Sequence, residues 1–315
     1  MTKAKFQSFW EKFGTLCILI CLFIAFSVAS PQYFPQPTNL LQCLLQSTVY
    51  IFLAFGEFFA ILLAGIDLSV GSVACFSGIL VAELSLKGVN PVICVLVGLV
   101  GAALLGAING WLINALDLHP FVVTLGTNTV FRGVCLVITD GNPVFNLPGW
   151  VKSLSSYIWV IPKPVIYAAI FGVILVFFTL YTVAGRNLFA LGGNKQSAWY
   201  SGINTRKYTL LAHTLSSLLA GVGGIVMLAR IGAAEPTAGD GYETYAIAAC
   251  IIGGASLFGG KGKILGVILG GITIGTINNG LNIMNVSSFW QKIVMGLLII
   301  GSVALEKFVS NQAKK

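Results

Sequence analysis

The sequence predicts an all-α polytopic membrane protein with about ten transmembrane helices. Composition is the first reason: 57% of the 315 residues are hydrophobic and only 9% are charged. Soluble domains carry about a quarter charged residues, so this chain could not cover a water-exposed surface. Pattern is the second reason, because the apolar residues form continuous runs, which excludes the alternating strands of a membrane β-barrel.

Ten apolar runs approach the length needed to cross the bilayer, which is about 20 helical residues for about 30 Å of hydrocarbon. The first half of the chain holds the runs at 13–30, 43–64, 70–86, 91–116 and 121–138. The second half holds 164–184, 208–230, 242–257, 264–283 and 288–306. The first run follows lysines as a signal peptide does, but its length favours an uncleaved helix. We expect residues 1–315 to form a single transmembrane domain.

The distribution of basic residues predicts the orientation. Ten spans place both termini on one side of the membrane, and 12 of the 18 basic residues then fall on that side. Cytoplasmic segments carry such an excess of lysine and arginine, so both termini are predicted to be cytoplasmic. This distribution also accounts for the net charge of +8. A nucleic-acid partner is not needed to explain that charge, and we exclude one.

The two halves of the chain resemble each other weakly. The third run of each half is short and flanked by glycines, at 65–72 and at 239–243. The fourth runs share similar stretches at 106–110 and 275–280. A unit of five helices would be inverted in its second copy, with a broken third helix in each, and such pairs point to a transport site near the midplane. Chance similarity between apolar segments is the alternative.

An enzyme is not predicted. His119 and His213 are far apart and lie in no metal or catalytic spacing. The glycine-rich stretch 254–262 misses the phosphate-loop pattern, because its lysine comes one residue late and Gly262 stands where serine or threonine is required. The seven cysteines include no CxxC pair, and their odd number supports neither a disulfide framework nor a metal site.

Charged residues inside the predicted spans need a reason, because burying them in lipid is costly. Asp67 could cap the helix that follows it, or it could act in a gate or pathway. Glu57 could line a pathway or make a buried hydrogen bond between helices. Arg132 could reach the interface or pair with a neighbour. Since a proton-coupled secondary sugar transporter would use such acids as proton carriers, Glu57 and Asp67 keep that alternative open.

The largest inner segment, 185–204, is predicted to contain a short amphipathic helix at about 194–201 between glycines. A short, partly apolar helix of this kind could dock into a groove on a partner protein. It could equally lie in the lipid interface.

Five ordered motifs carry a family resemblance. They are GIDLSVGS at 65–72; FVVTLG at 121–126 with RG at 132–133; GGN at 192–194 with SGI at 201–203; PTAG at 236–239 with GYE at 241–243; and GGASL at 253–257 with GGKG at 259–262. With these motifs the chain resembles the ribose-type sugar permeases of bacterial ABC importers along nearly its whole length. Ribose, allose, arabinose, xylose and galactose permeases would look alike at this level.

The resemblance implies a multi-pass permease of the bacterial inner membrane that works as a homodimer. It implies a tandem ATP-binding subunit on the cytoplasmic side and a periplasmic sugar-binding protein outside, with ATP bound by the partner and no cofactor on this chain. It also makes residues 185–207 a coupling loop against the ATPase, with these coupling residues: Gly192, Gly193, Asn194, Lys195, Ser201 and Gly202. One departure is that relatives commonly place an acidic residue after the GGN motif, where this chain has Lys195.

The predicted activity is movement of a monosaccharide from periplasm to cytoplasm by alternating access. Because a sugar is neutral, the path needs few charged groups, which agrees with their scarcity in the spans. The predicted pathway or gate residues lie beside the two glycine-broken helices and on the second span, and they are Asp67, Ser69, Ser72, Glu243, Thr244, Tyr245 and Glu57.

Overall fold

A computed structural model describes residues 3–313, with side-chain surroundings for residues 13–301 and 303–304. Thirteen helices lie in the described part of the chain: α1 (Lys3–Ala29), α2 (Pro37–Leu62), α3 (Val70–Leu86), α4 (Pro91–Leu116), α5 (Pro120–Ile138), α6 (Gly149–Ser153), α7 (Lys163–Tyr181), α8 (Val183–Gly193), α9 (Lys195–Tyr200), α10 (Thr205–Ile231), α11 (Tyr242–Ile252), α12 (Ile264–Ile283) and α13 (Ser288–Ala313). A small antiparallel hairpin, β1 (Tyr157–Ile158) and β2 (Ile161–Pro162), precedes α7.

The all-helical prediction is confirmed, and each of the ten predicted runs coincides with a helix. Six helices among the described residues are long and apolar enough to cross a membrane: α2, α4, α5, α7, α10 and α12. The prediction was wrong about the end of α11, which stops at Ile252 rather than at 257. The chain turns there through Gly254, whose φ of +83° is a left-handed conformation that ends a helix.

Local sequence signals explain where several spanning helices begin. Proline stands in the first turn of α2, α4, α5 and α7, where its missing N–H would have had no helical partner. Asn90 accepts a hydrogen bond from the N–H of Val92 and so caps α4. His119 does the same for Phe121 and α5, so this histidine has a structural role.

The centre of the bundle is an antiparallel pair, α2 and α10. Gly56 of α2 lies against Ser216 of α10. Phe52, earlier in α2, lies against Gly223, later in α10, so the two helices run in opposite directions. The remaining large helices pack around this pair, α4 against α10 and α12 against α2. The outer helices α4, α5 and α7 expose many large apolar side chains, which is the surface expected to contact lipid.

The two short helices occupy equivalent places in this bundle. Helix α3 packs against α10 and α4, whereas α11 packs against α2 and α12. Ala74 of α3 lies against Gly224 of α10, and Gly78 lies against Gly224 and Leu228. Helix α3 therefore runs in the same direction as α10. Helix α11 runs along α2 in the same way, since Tyr242 contacts Tyr50 and Cys250 bonds to Ala54. Because α2 and α10 are antiparallel, α3 and α11 run in opposite directions, as the predicted inverted repeat requires.

The inner segment 185–204 is more helical than predicted. Instead of a loop with one short helix, it contains all of α8 except its first two residues, and then α9, with a single intervening residue, Asn194. The predicted helix at about 194–201 corresponds to α9. After Ser201 the chain turns through Gly202, whose φ is +82°, and enters α10 at Thr205.

Candidate functional site

The first turns of the two short helices contact each other. A Cβ atom added at Gly71, in the first turn of α3, would overlap the carbonyl oxygen of Gly239 and lie 2.8 Å from Glu243 Oε2. Gly239 and Gly241 precede α11 with φ of +73° and +77°, a region that glycine enters without steric cost. The junction of α3 and α11 therefore depends on glycine at 71 and brings the first broken helix against Glu243 of the second.

Asp67 is the centre of a buried polar cluster just before α3. Its Oδ1 accepts hydrogen bonds from the backbone N–H of Ser69 at 3.0 Å and from Ser69 Oγ at 2.6 Å. Its Oδ2 accepts one from Ser216 Oγ at 2.8 Å, and His213 Nδ1 lies 3.6 Å away. Asn109 Nδ2 donates to Ser69 Oγ at 2.8 Å, so α4 and α10 both hold the segment 63–69.

The expectation that Asp67 caps α3 was wrong. Ser69 occupies the cap position and its side chain makes no capping bond, while Asp67 accepts the N–H that precedes the helix. The physical reason is that both carboxylate oxygens have other partners: Oδ1 accepts from Ser69, which precedes the helix, and Oδ2 accepts from Ser216 of α10. Ser72, one turn into α3, donates to the carbonyl of Ser69 at 2.9 Å and is buried.

Glu57 also belongs to this cluster. Its Oε1 accepts a hydrogen bond from the backbone N–H of Asp67 at 3.1 Å, and the side chain is fully buried. The predicted buried hydrogen bond of Glu57 is therefore present, although its partner is the following segment rather than another helix. Thr124 of α5 adds a further tie, accepting from the N–H of Leu68 at 3.1 Å and donating to the carbonyl of Ile66 at 3.0 Å.

Aromatic rings mark the start of α11. Tyr50 of α2, Tyr242 and Tyr245 form a cluster with ring centroids 5.4 to 5.5 Å apart. Tyr50 is buried, whereas Tyr242 and Tyr245 are partly exposed. Thr244 donates its hydroxyl to the carbonyl of Gly241, so this side chain serves the local turn.

Arg132 holds the loop that leads into α11. Its Nη1 donates to the carbonyl oxygen of Pro236 at 3.0 Å and to that of Ala238 at 2.7 Å. Of the two roles open for this residue, the structure shows pairing, with backbone carbonyls as the partners. Two charge-assisted hydrogen bonds fix the loop against α5.

The predicted coupling residues divide by exposure. Gly192 is buried, whereas Gly193, Asn194, Lys195, Ser201 and Gly202 are exposed. Asn194 Oδ1 accepts from the N–H of Ser197 at 2.8 Å and so caps α9.

An exposed aromatic pair and a cleft lie next to these residues. Trp199 and Tyr200 are 62% and 71% exposed. A cleft of about 380 Å³ lies beside them, lined by Trp199, Gly202, Ile203, Asn204, Thr205 and Arg206. The exposed rings fit a partner surface as well as a lipid interface, so both roles for this segment stay open on geometry alone.

The structure brings Glu57, Asp67, Ser69 and Ser72 into one cluster and places Glu243 against Gly71 at its edge. Their pathway or gate roles stay predictions, as do those of Thr244 and Tyr245. Sequence reasoning missed four polar members of the cluster: Asn109, Thr124, His213 and Ser216. Signals were available for two of them: Asn109 lies in the stretch 106–110 that resembles 275–280, and Thr124 lies in the motif at 121–126.

Comparisons with known proteins agree with this architecture. Residues 39–303 match the family model described as branched-chain amino acid transport system / permease component. The D-allose transport system permease protein of Escherichia coli K12 is 51% identical over 308 residues, covering 97% of this chain and 94% of that protein. The ribose import permease protein of Bacillus subtilis 168 is 41% identical over 305 residues, covering 96% and 94%.

A third relative carries a different name. The autoinducer 2 import system permease protein of Photorhabdus luminescens is 34% identical over 307 residues, covering 94% of this chain and 92% of that protein. No solved structure matches this chain.

Proposed function

This chain belongs to the family of branched-chain amino acid transport system permease components, and from that premise we propose that it is the membrane-spanning subunit of an ATP-driven importer for a ribose- or allose-type monosaccharide. One observation carries the proposal: identity of 51% over 97% of the chain to a protein named for D-allose transport. The ribose permease at 41% supports the same substrate class. The family and the apolar helices make it a multi-pass inner-membrane protein and a transport component rather than an enzyme.

The proposed path runs beside the junction of α3 and α11. Broken helices that start at one point and run in opposite directions are typical of transport sites, since their first N–H groups point toward a shared space. Alternating access would open this junction to one side and then to the other. The pathway or gate residues we propose are Glu57, Asp67, Ser69, Ser72, Glu243, Thr244 and Tyr245.

Three partners complete the proposed importer: a second copy of this chain, a tandem ATP-binding subunit in the cytoplasm and a periplasmic sugar-binding protein. The exposed face of α9 is our proposed contact for the ATP-binding subunit, with coupling through residues 185–207. Support comes from the exposure of Trp199 and Tyr200 beside a cleft, which is the surface a docking partner needs. In this arrangement both termini are cytoplasmic.

Reconstitution tests the proposal. The chain is placed in liposomes with its ATP-binding subunit and sugar-binding protein, and uptake of radiolabelled allose and ribose is measured. We call residues 185–207 the coupling segment. We expect uptake only when ATP is on the same side of the membrane as this segment and the loaded binding protein is on the other. Uptake driven by a proton gradient without the ATP-binding subunit would refute the proposal and establish the secondary transporter.

A further inference from the structure

We propose that Gly192, Gly259 and Gly260 form a joint. Through this joint the coupling segment moves two other segments together: residues 63–69, which lead into α3, and residues 253–263, which follow α11. We call these residues, with the carbonyl of Leu62, the glycine joint. This inference rests on the proposed function, since it assigns the internal route by which motion of α9 reaches the path.

Three separate stretches of backbone meet at the glycine joint. The N–H of Gly260 donates to the carbonyl oxygen of Leu62 at 2.9 Å. A Cβ atom added at Gly192 would overlap that same carbonyl oxygen and would lie 2.7 Å from the nitrogen of Gly260. One added at Gly259 would lie 2.6 Å from the carbonyl oxygen of Gly192. None of these positions can accept a side chain without moving backbone.

The conformation at the joint also requires glycine. Gly259 and Gly260 have φ of +82° and +68°, in the left-handed region that residues with a Cβ rarely adopt. The backbone of these two residues also lies close to both other segments. A Cβ at Gly259 would lie 2.9 Å from the nitrogen of Ala64, which follows α2, and one at Gly260 would lie 2.7 Å from Gly193 Cα in α8. Close approach and backbone conformation thus select the same residue type at the same place.

The three stretches that meet at the joint belong to different parts of the fold. Leu62 is the last residue of α2 and directly precedes the segment 63–69, which carries Asp67 and leads into α3. Gly259 and Gly260 lie in the segment 253–263 that connects α11 to α12. Gly192 is the second-last residue of α8, and only Gly193 and Asn194 separate it from α9. The coupling segment therefore touches the inner connection of both short helices at one point.

Backbone-to-backbone contact makes this point suited to transmit motion. Where side chains lie between two elements, rotamer changes can absorb a small shift, but here no side chain intervenes. Displacement of α9 against a partner would therefore move segments 63–69 and 253–263 together. Because Gly192 is buried, it acts inside the chain, which separates its role from that of the exposed Asn194 and Lys195.

A matched pair of glycines isolates the contact from backbone strain. Gly254 and Gly259 lie in the same segment with φ of +83° and +82°, but a Cβ at Gly254 meets nothing within 4 Å. In the reconstituted importer we expect Gly259→Ala to lower sugar moved per ATP hydrolysed by about tenfold, within the range of typical coupling between sites. Gly254→Ala should stay near wild type, and hydrolysis by the assembled complex without sugar-binding protein should persist in both. Equal sugar-to-ATP ratios in the two variants would overturn the joint.

Hydrogen exchange of the purified chain in detergent tests the joint without any transport. Gly192→Ala should raise amide exchange in 62–69 and in 256–262 at the same time, because it pushes on both. Gly296→Ala is the control, since a Cβ at that helical position meets nothing within 4 Å. Increased exchange confined to α8 would refute the joint. A wild type that moves no sugar would refute the proposed function, while the exchange result would still decide the joint.

Discussion

Ser216 donates its hydroxyl to Asp67 across 149 positions of sequence, with 2.8 Å between Oγ and Oδ2, and both side chains are fully buried. Ser216 lies on α10, whose first turn, from Thr205, overlaps the end of the proposed coupling residues 185–207. Eleven residues of helix span about 16 Å, so this one hydrogen bond joins a point about 16 Å along α10 to the segment before α3.

Removing this hydroxyl should destabilise the protein. Ser216→Ala removes a hydrogen bond to a buried carboxylate, a class worth about 1.5–3 kcal/mol, so we expect a clear fall in melting temperature in detergent. The neighbouring Ser217→Ala is the control, because the buried Ser217 Oγ has no partner among the described residues. That variant should melt at or above the wild-type temperature. Equal losses in the two variants would contradict the role assigned to Ser216.

Glu57→Gln should preserve ATP-driven uptake. The amide oxygen of glutamine can still accept the N–H of Asp67, which Glu57 Oε1 accepts now at 3.1 Å. Burying a neutral amide also costs less than burying a charge. A proton-coupled transporter that uses Glu57 as a carrier would lose uptake on this change, so uptake in liposomes separates the two mechanisms.

Gly71→Ala should abolish transport. The added methyl overlaps the carbonyl oxygen of Gly239, so the first turn of α3 and the turn that leads into α11 must separate. Overpacking of this kind typically costs about 1–3 kcal/mol, which predicts a lower melting temperature as well. Gly296→Ala, on an open face of α13, should change neither quantity. Normal uptake in Gly71→Ala would show that contact between α3 and α11 is not needed for the path.

Asn194→Ala should weaken coupling by fraying α9. The change removes the acceptor for the N–H of Ser197, and loss of a helix cap costs about 1 kcal/mol. We expect less ATPase stimulation by loaded sugar-binding protein, with unstimulated hydrolysis unchanged. Asn194→Asp should restore stimulation because aspartate caps equally well. Failure of aspartate to rescue would indicate that the amide itself contacts the partner.

Cysteine labelling tests the orientation. Trp159 at the tip of the β1–β2 hairpin is 98% exposed, and Gln196 on α9 is exposed. A membrane-impermeant maleimide should label Trp159→Cys in intact spheroplasts and Gln196→Cys only in inverted vesicles. The reverse pattern would place both termini outside the cell.

Much of the fold follows from the sequence because lipid imposes a simple rule. Every backbone polar group must be satisfied within the membrane, so apolar runs such as 91–116 and 264–283 become helices with the predicted ends. Glycine and proline interrupt helices for local steric reasons. The short third helix of each half could therefore be predicted from the sequence as well. Helix α11 ends earlier than predicted because Gly254 adopts a left-handed backbone conformation. The hydrophobicity of the run does not reveal that conformation.

The sequence by itself determined the ten apolar runs that form helices, the short third helix of each half and the segment that holds α9. Only the tertiary structure decided that Asp67 meets Ser216 and His213, that Gly71 meets Gly239, and that Gly192 meets Leu62 and Gly260. The physical reason is that periodicity and composition report which residues share one helix, whereas these contacts depend on which helix faces meet. That choice is made by close packing between segments far apart in sequence, and no local pattern encodes it.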